Sequence, residues 1–410
     1  MTTHGVTAGT AVTDTARAPA WRGGFGRLWS AAIISRFGDG LRTAALPLLA
    51  ASLTDDPLLI ASVTACGFLP WLLFGLLGGA LADRVDQRRA MWTADLLRAA
   101  LMAGFALAVA LDLAGIALLL ALAFLLTTVQ TLFDNAATAL LPAVVPRSAL
   151  AGANARLMAG QQVAGGFLGA PLVPALLVLG ASAPFTVNAA TYLVGALLIA
   201  SLRTRAPDRA PKAVGGTLRA EMAEGMRTLW RDGPLRGLAV ATALSNVGIG
   251  ALIATLVLHI TGWLDAGNSG YAAALTAYGA ASVAGGLLAP RLALRIGRIR
   301  SVLVAGIVQT CALLVLGTVR ELWAAIGVMA LFGVMGMVWN VNQATLVQER
   351  SPAGMLGRIS SAFRTLAVAG APLGALLGGL AASAWGLNAP ALLAAGAFTL
   401  AVASLGVLIN

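Results

Sequence analysis

Charge is what this chain has least of. Of its 410 residues only 10% are Asp, Glu, Lys or Arg, against about 25% in ordinary soluble domains. A soluble fold could not cover its surface with so few, and that class is excluded. Histidine and cysteine occur twice each. His4 and His259 are far apart, and Cys66 and Cys311 both lie inside apolar stretches. No metal-ligand spacing, implied disulfide or bound cofactor follows from them. The chain also lacks a nucleotide-binding glycine loop and a nucleophile–base pair, so neither ATP hydrolysis nor other enzymatic catalysis is expected. An apolar secretory leader is missing too, and the first residues read as a disordered tail.

Apolar residues, 59% of the total, fill the space. They cluster into stretches of about twenty, the length that crosses a hydrocarbon core of about 30 Å. Twelve spans are expected, at 28–53, 57–81, 90–111, 114–142, 157–179 and 185–202, then 235–260, 269–289, 301–319, 322–347, 359–384 and 389–409. Their continuity and lack of period-two alternation favour helices over barrel strands.

The net charge of +11 lies mainly in alternate connections, where Arg84, Arg88, Arg89, Arg147, Arg156, Arg298, Arg350 and Arg358 fall. The opposite connections hold Asp55, Asp56, Asp112 and Asp265, with Arg320 the one basic exception. That is the positive-inside pattern, which puts both termini in the cytoplasm. It is not the one-sided basic stripe of a nucleic-acid binder, and no nucleic-acid partner is expected. Lysine is nearly absent (Lys212 alone) and alanine abundant, the composition of a GC-rich bacterial genome. A bacterial inner membrane is the expected location.

Four regions follow: a disordered cytoplasmic tail at 1–24, a six-helix bundle at 25–203, a linker at 204–234 and a second six-helix bundle at 235–410. The linker has Pro207, Pro211 and Gly215–Gly216, then Leu218, Met222 and Leu229 at helical spacing opposite Arg219 and Glu224. A short amphipathic helix on the membrane surface is expected there. The two bundles echo each other. GGALADRVDQRR, beginning at Gly78, answers GGLLAPRLALRIGR, beginning at Gly285; VPRSALAGANAR, beginning at Val145, answers RSPAGMLGRISS, beginning at Arg350. Parallel repeats of six spans place a substrate site at the midplane between halves.

The run Gly79-Ala-Leu-Ala-Asp83-Arg84-Val-Asp86-Gln-Arg88-Arg89 resembles the signature loop of the major facilitator superfamily. Ser35-Arg-Phe-Gly38-Asp39, Leu132-Phe133-Asp134 and Gly370-Ala-Pro372-Leu-Gly374 are similar to the branch of enterobactin and macrolide exporters. The resemblance covers about residues 25 to 409. It implies an all-α integral membrane fold of two pseudo-symmetric six-helix bundles. Two features depart from the proton-coupled drug exporters: the fourth span has no arginine, with Gln130 its nearest polar residue, and the fifth span carries only a loose form of the antiporter signature in Gly165-Gly166-Phe-Leu-Gly169-Ala170-Pro171.

The charges inside spans carry the functional reading. Each costs roughly 2.5–3.5 kcal/mol at a helix centre. Arg36, Asp39 and Arg42 recur every three residues on one broad face of the first span, with Asp39 near mid-depth. Asp39 is expected to bind a proton or a cationic group during transport, or else to form a permanent structural ion pair. Desolvation works against the charged form and flanking arginines for it. Asp83 is expected at the N-terminus of a facing helix near Gly357–Ser361, as the resemblance implies. With Arg84, Arg88 and Arg89 meeting Asp134 or Asp95, it would close a cytoplasmic gate. Asp95 and Arg98, spaced i to i+3, either neutralise each other or join that gate. Trp71, Gln130, Asn246, Tyr278, Trp339, Asn340, Asn342 and Gln343 lie at the depth of a substrate cavity. Few polar groups among Met, Phe and Trp suit a bulky amphipathic ligand better than a sugar.

The expected protein is a monomeric secondary transporter that exports an amphipathic small molecule (an antibiotic, siderophore or other secondary metabolite) by proton antiport. Its partners are cargo, protons and membrane lipid. An importer or lipid-type flippase on the same fold is the first alternative, a non-transporting scaffold or sensor the second.

Overall fold

The computed structural model describes residues 24–82, 86–146, 149–202, 218–352 and 355–406. Among these, fourteen α-helices and no strand are present. The first group is α1 (Gly24–Leu53), α2 (Pro57–Ala82), α3 (Gln87–Ala110), α4 (Ile116–Val144), α5 (Leu150–Val163), α6 (Val173–Leu179) and α7 (Ala183–Ala200). Then come α8 (Leu218–Arg231), α9 (Gly233–Leu258), α10 (Gly267–Ile296), α11 (Arg298–Thr318), α12 (Leu322–Arg350), α13 (Leu356–Trp385) and α14 (Ala389–Gly406).

Eleven spans among the described residues are long and apolar enough to cross a membrane, rather than the twelve expected. The first expected span is the difference. Helix α1 is 30 residues long, but Arg27, Arg36, Asp39 and Arg42 fall along it and spoil its apolar character. The fifth span is composite. Between α5 and α6 the chain makes a π-helical turn at Ala164–Leu168 and a 3-10 turn at Ala170–Leu172, where Pro171 withholds an amide donor.

Local chemistry sets several helix ends. Asp86 caps α3 by accepting from the Arg89 amide at 2.9 Å, and Asp232 caps α9 by accepting from the Leu235 amide at 2.9 Å. Gly297 and Gly386 end α10 and α13 with φ of 85° and 99°, a conformation that favours glycine. Arg320, the exception to the charge pattern, donates to the Trp263 carbonyl at 2.8 and 3.2 Å and stacks 5.4 Å from that indole. It thus fastens the α11–α12 connection to the end of α9.

Small residues let the helices pack, as expected where lipid removes the hydrophobic drive between them. A methyl at Gly169 would stand 2.7 Å from the Leu41 nitrogen, so α1 lies directly on the broken fifth span. Gly166 and Gly279 meet in the same way between that span and α10, and Gly250 meets Ala371 between α9 and α13.

The apolar cores differ at the two ends of the molecule. At the end bearing Asp55, Asp112 and Asp265, one cluster draws on both groups of helices: Leu41, Val63, Phe105 and Leu122 pack in it with Leu256, Tyr271, Leu316 and Phe332. At the arginine-bearing end the cores are separate. Phe25, Met91, Phe133 and Leu140 form one within α1–α7, and Leu238, Val302, Trp339 and Ile359 form another within the later helices. Among the described residues, Gln162 donates across the seam to Ser282 Oγ at 3.0 Å, and Arg364 stacks across it 5.5 Å from the Trp71 ring. Helix α8 belongs to the second of the separate cores through Leu229 and Met226, and its Glu224 accepts from Arg358 of α13 at 2.6 Å.

Gly169→Val is expected to lower the melting temperature of the detergent-solubilised protein, because overpacking against the α1 backbone costs about 1–3 kcal/mol. Gly104→Ala, where a methyl meets nothing within 4 Å, should leave it unchanged or slightly raised. Differential scanning fluorimetry of both variants beside the wild type checks this.

Candidate functional site

The charged face of α1 turns inward, onto α3, α4 and α7. Arg98 of α3 is its centre, and both it and Asp95 are fully buried. Its guanidinium donates to Asp39 Oδ1 at 2.5 Å, to Asp95 Oδ1 at 3.0 Å and to the Tyr192 hydroxyl at 2.9 Å, and it lies 3.9 Å from the centroid of the Tyr192 ring. Tyr192 of α7 in turn donates to Asp39 Oδ1 at 2.6 Å. Ser35 donates to the second oxygen of Asp95 at 2.8 Å. Five side chains on three helices therefore form one carboxylate–guanidinium centre that burial shields from solvent. Glycine makes room for it: a side chain at Gly195 would strike Ser35 Oγ and Asp95 Oδ2, and one at Gly38 would strike Thr191 and Asn188.

The pairs on α1 itself are looser. Arg36 lies 3.5 Å from Asp39 and 3.4 Å from Asp134 of α4, bridging the two acids. Arg42 lies 3.7 Å from Asp39 and donates to Gln130 Oε1 at 3.3 Å. Three arginines and three aspartates thus share one network (Arg36, Arg42 and Arg98 with Asp39, Asp95 and Asp134).

A cavity of about 370 Å³ lies beside it, between the two groups of helices. That is at the lower end of ligand-sized pockets, which run about 300–1,000 Å³. Gly40, Arg42 and Thr43 of α1 form one wall with Gln130 of α4 and the π-turn glycines Gly165 and Gly166. Phe68 and Trp71 of α2, Leu252 and Leu256 of α9, Tyr278 of α10 and Phe332 of α12 form the rest. The site is mostly apolar, with a few hydroxyls, one amide and one guanidinium.

The expected cavity residues divide. Trp71, Gln130 and Tyr278 line it. Asn246, Trp339, Asn340, Asn342 and Gln343 do not. Trp339 is buried in the core of the later helices and donates to Gln343 Oε1 at 2.8 Å, which also accepts from Thr242 at 3.0 Å. Asn342 and Asn246 donate to the Val338 and Thr242 carbonyls one turn back on their own helices. Asn340 is exposed. All five have the right depth, but the turn of the helix aims them elsewhere.

The residues expected at the gate fall in different places. Asp95 and Arg98 sit in the buried network, and Asp134 reaches Arg36 of α1. Arg88 does not meet Asp134 or Asp95; it donates to the Ile199 and Ala200 carbonyls and so caps the end of α7. Arg89 is exposed, its amide bonded to Asp86. Asp83 and Arg84 lie outside the described residues. Ser35 and Tyr192 were missed, although the rarity of tyrosine, three in the chain, was a usable signal.

The profile of the Major Facilitator Superfamily matches residues 28–374. An uncharacterised MFS-type transporter of Sinorhizobium fredii is 29% identical over 85% of this chain and 86% of its own length. The multidrug efflux pump Tap of Mycolicibacterium fortuitum is 26% identical over 88% and 89%. The crystal structure of the nucleoside transporter NupG superposes with a TM-score of 0.75 at 10% identity, covering 94% of this chain and 99% of that one; at that identity the likeness shows the fold.

Replacing Arg98 by Leu leaves two buried acids without their guanidinium and should cost about 3–5 kcal/mol, enough to prevent recovery of folded protein. Tyr192→Phe removes one hydrogen bond to the same centre and should cost about 0.5–1.5 kcal/mol. Yield after size-exclusion chromatography and the melting temperature of each variant test that order.

Proposed function

The chain belongs to the major facilitator superfamily and is a transporter rather than an enzyme, and we propose that it exports an amphipathic small molecule by alternating access, driven by proton antiport. One observation carries the proposal: an apolar cavity with few polar groups lies between the helix groups, with a buried acid–arginine network directly behind its α1 wall. The similarity to the Tap efflux pump supports the export direction.

In this reading α1 is the twelfth span, and residues 25–203 and 235–410 are the two rocking units, joined by the 204–234 linker. The arginine-bearing end faces the cytoplasm of a bacterial inner membrane, with both termini there. Separate cores at that end and a shared core at the other correspond to the state that admits cargo from inside. Closing the gap and parting the shared core would release cargo outward. The Asp83 loop acts as the latch on the closed inner side, and one chain suffices for the cycle.

Helix α1 couples the two events. Gly40, Arg42 and Thr43 face the cavity, whereas Asp39 faces Arg98 and Tyr192. Any displacement of α1 by cargo therefore alters the pairing of Asp39, which we assign as the proton-carrying acid. Arg36 offers Asp134 as a second acid on the same path.

Two measurements test this. Adding an amphipathic antibiotic to the purified protein should release protons, read with a pH dye in weak buffer, and Asp39→Asn should abolish the release while binding persists. Release of the same size in Asp39→Asn sinks the coupling role. Spin labels at Arg89 and Arg300, both exposed at the arginine-bearing end, should show a shorter distance once cargo and a proton gradient are supplied to liposomes. A distance unchanged under every condition sinks the rocking mechanism.

A further inference from the structure

We infer that the cargo carries an acidic group, and that Arg42 is the residue that pairs with it. The inference rests on reading the cavity as the cargo site and goes further by naming a charge. Among the described residues that line the cavity, Arg42 alone is charged. Its neighbours hold it weakly. Asp39 Oδ1 is already engaged by Arg98 at 2.5 Å and Tyr192 at 2.6 Å, which leaves Arg42 at 3.7 Å from it. Gln130 accepts from Arg42 at 3.3 Å, long for a bond to a charged donor. Arg42 Nε is buried and has no hydrogen-bond partner among the described residues. A guanidinium whose side chain is 13% exposed, with one donor left unmatched by the protein, so borders a mostly apolar chamber.

One further cation stands close to the wall. Trp71, on the cavity wall, is stacked by Arg364 of α13 across the seam. Each nearby acid is matched to an arginine on the network side: Asp39 and Asp95 to Arg98, and Asp134 to Arg36. A ligand carboxylate or sulfonate would find a planar, two-donor partner in Arg42 and a field without opposing acids on the wall. A ligand ammonium would meet like charge. The apolar body would lie along Phe68, Trp71, Leu252 and Phe332, with Tyr278 at its edge.

The test uses three probes with one apolar body: dansylglycine, its amide and dansylethylenediamine. Binding to the purified full chain in an uncharged maltoside is read by energy transfer from tryptophan, with Trp71→Phe reporting the cavity's share. The acid should bind about tenfold more tightly than the amide, the step a charge-assisted pair adds, and the amine most weakly. Arg42→Gln should bring acid and amide to the same affinity, and Arg42→Lys should keep part of the difference. Acid and amide binding equally to the wild type, or the amine binding most tightly, overturns the charge assignment and leaves the cavity as cargo site. No Trp71-dependent signal from any probe overturns both. Should Arg42→Gln fail to fold, the wild-type ratio and Arg42→Lys still decide the question.

Discussion

A guanidinium shut away from water has to find acids, and Arg98 shows how much of a structure that requirement can organise. Its partners come from α1 and α7 as well as from its own helix, so three spans must arrive in register before the charge is matched. Buried pairs of this kind add little net stability over apolar packing, but losing one member is severe. What this one constrains is geometry. With Arg98 in place, α1 cannot rotate without separating Asp39 from both Arg98 and Tyr192.

That anchoring gives α1 two faces with different duties. The face toward α3 and α7 is fixed by charge, and the face toward the cavity is lined by Gly40, Arg42 and Thr43. Behind it the fifth span departs from regular α-helix, where Gly165, Gly166 and Gly169 bring backbone against α1 and α10. A π-helical turn leaves the local hydrogen-bond ladder irregular, and such turns favour functional positions. The same glycines permit close contact on both sides, so α1 and α10 meet this span through backbone rather than through long side chains.

Much of the fold was legible in the residues, because apolar length and arginine placement are one-dimensional signals that a membrane enforces strictly. Asp39 stood out as a candidate for the same reason: an acid within an apolar run is unusual. Its partners were not. Arg98 and Tyr192 lie 59 and 153 positions away, and only the assembled helices bring them together. The cavity shows the complementary limit. Depth can be counted along a helix, and on depth alone Asn342 and Gln343 resembled Gln130. Azimuth depends on neighbours, and α12 turns Asn342 and Trp339 into its own core while α4 aims Gln130 at Arg42. Helix α1 lacks an uninterrupted apolar stretch because Arg36, Asp39 and Arg42 lie along it.

The division of the apolar cores bears on how the chain is made. At the arginine-bearing end each group of helices encloses its own core, so the first can consolidate there while the second is still being synthesised. The core at the opposite end needs Leu252, Val257 and Tyr271 to complete it. Until those residues arrive, Leu41, Val63 and Leu122 have only lipid or the insertion machinery to cover them. The first group of helices is therefore enclosed at one end of the molecule and unfinished at the other, and completion of the shared core is what joins the two groups.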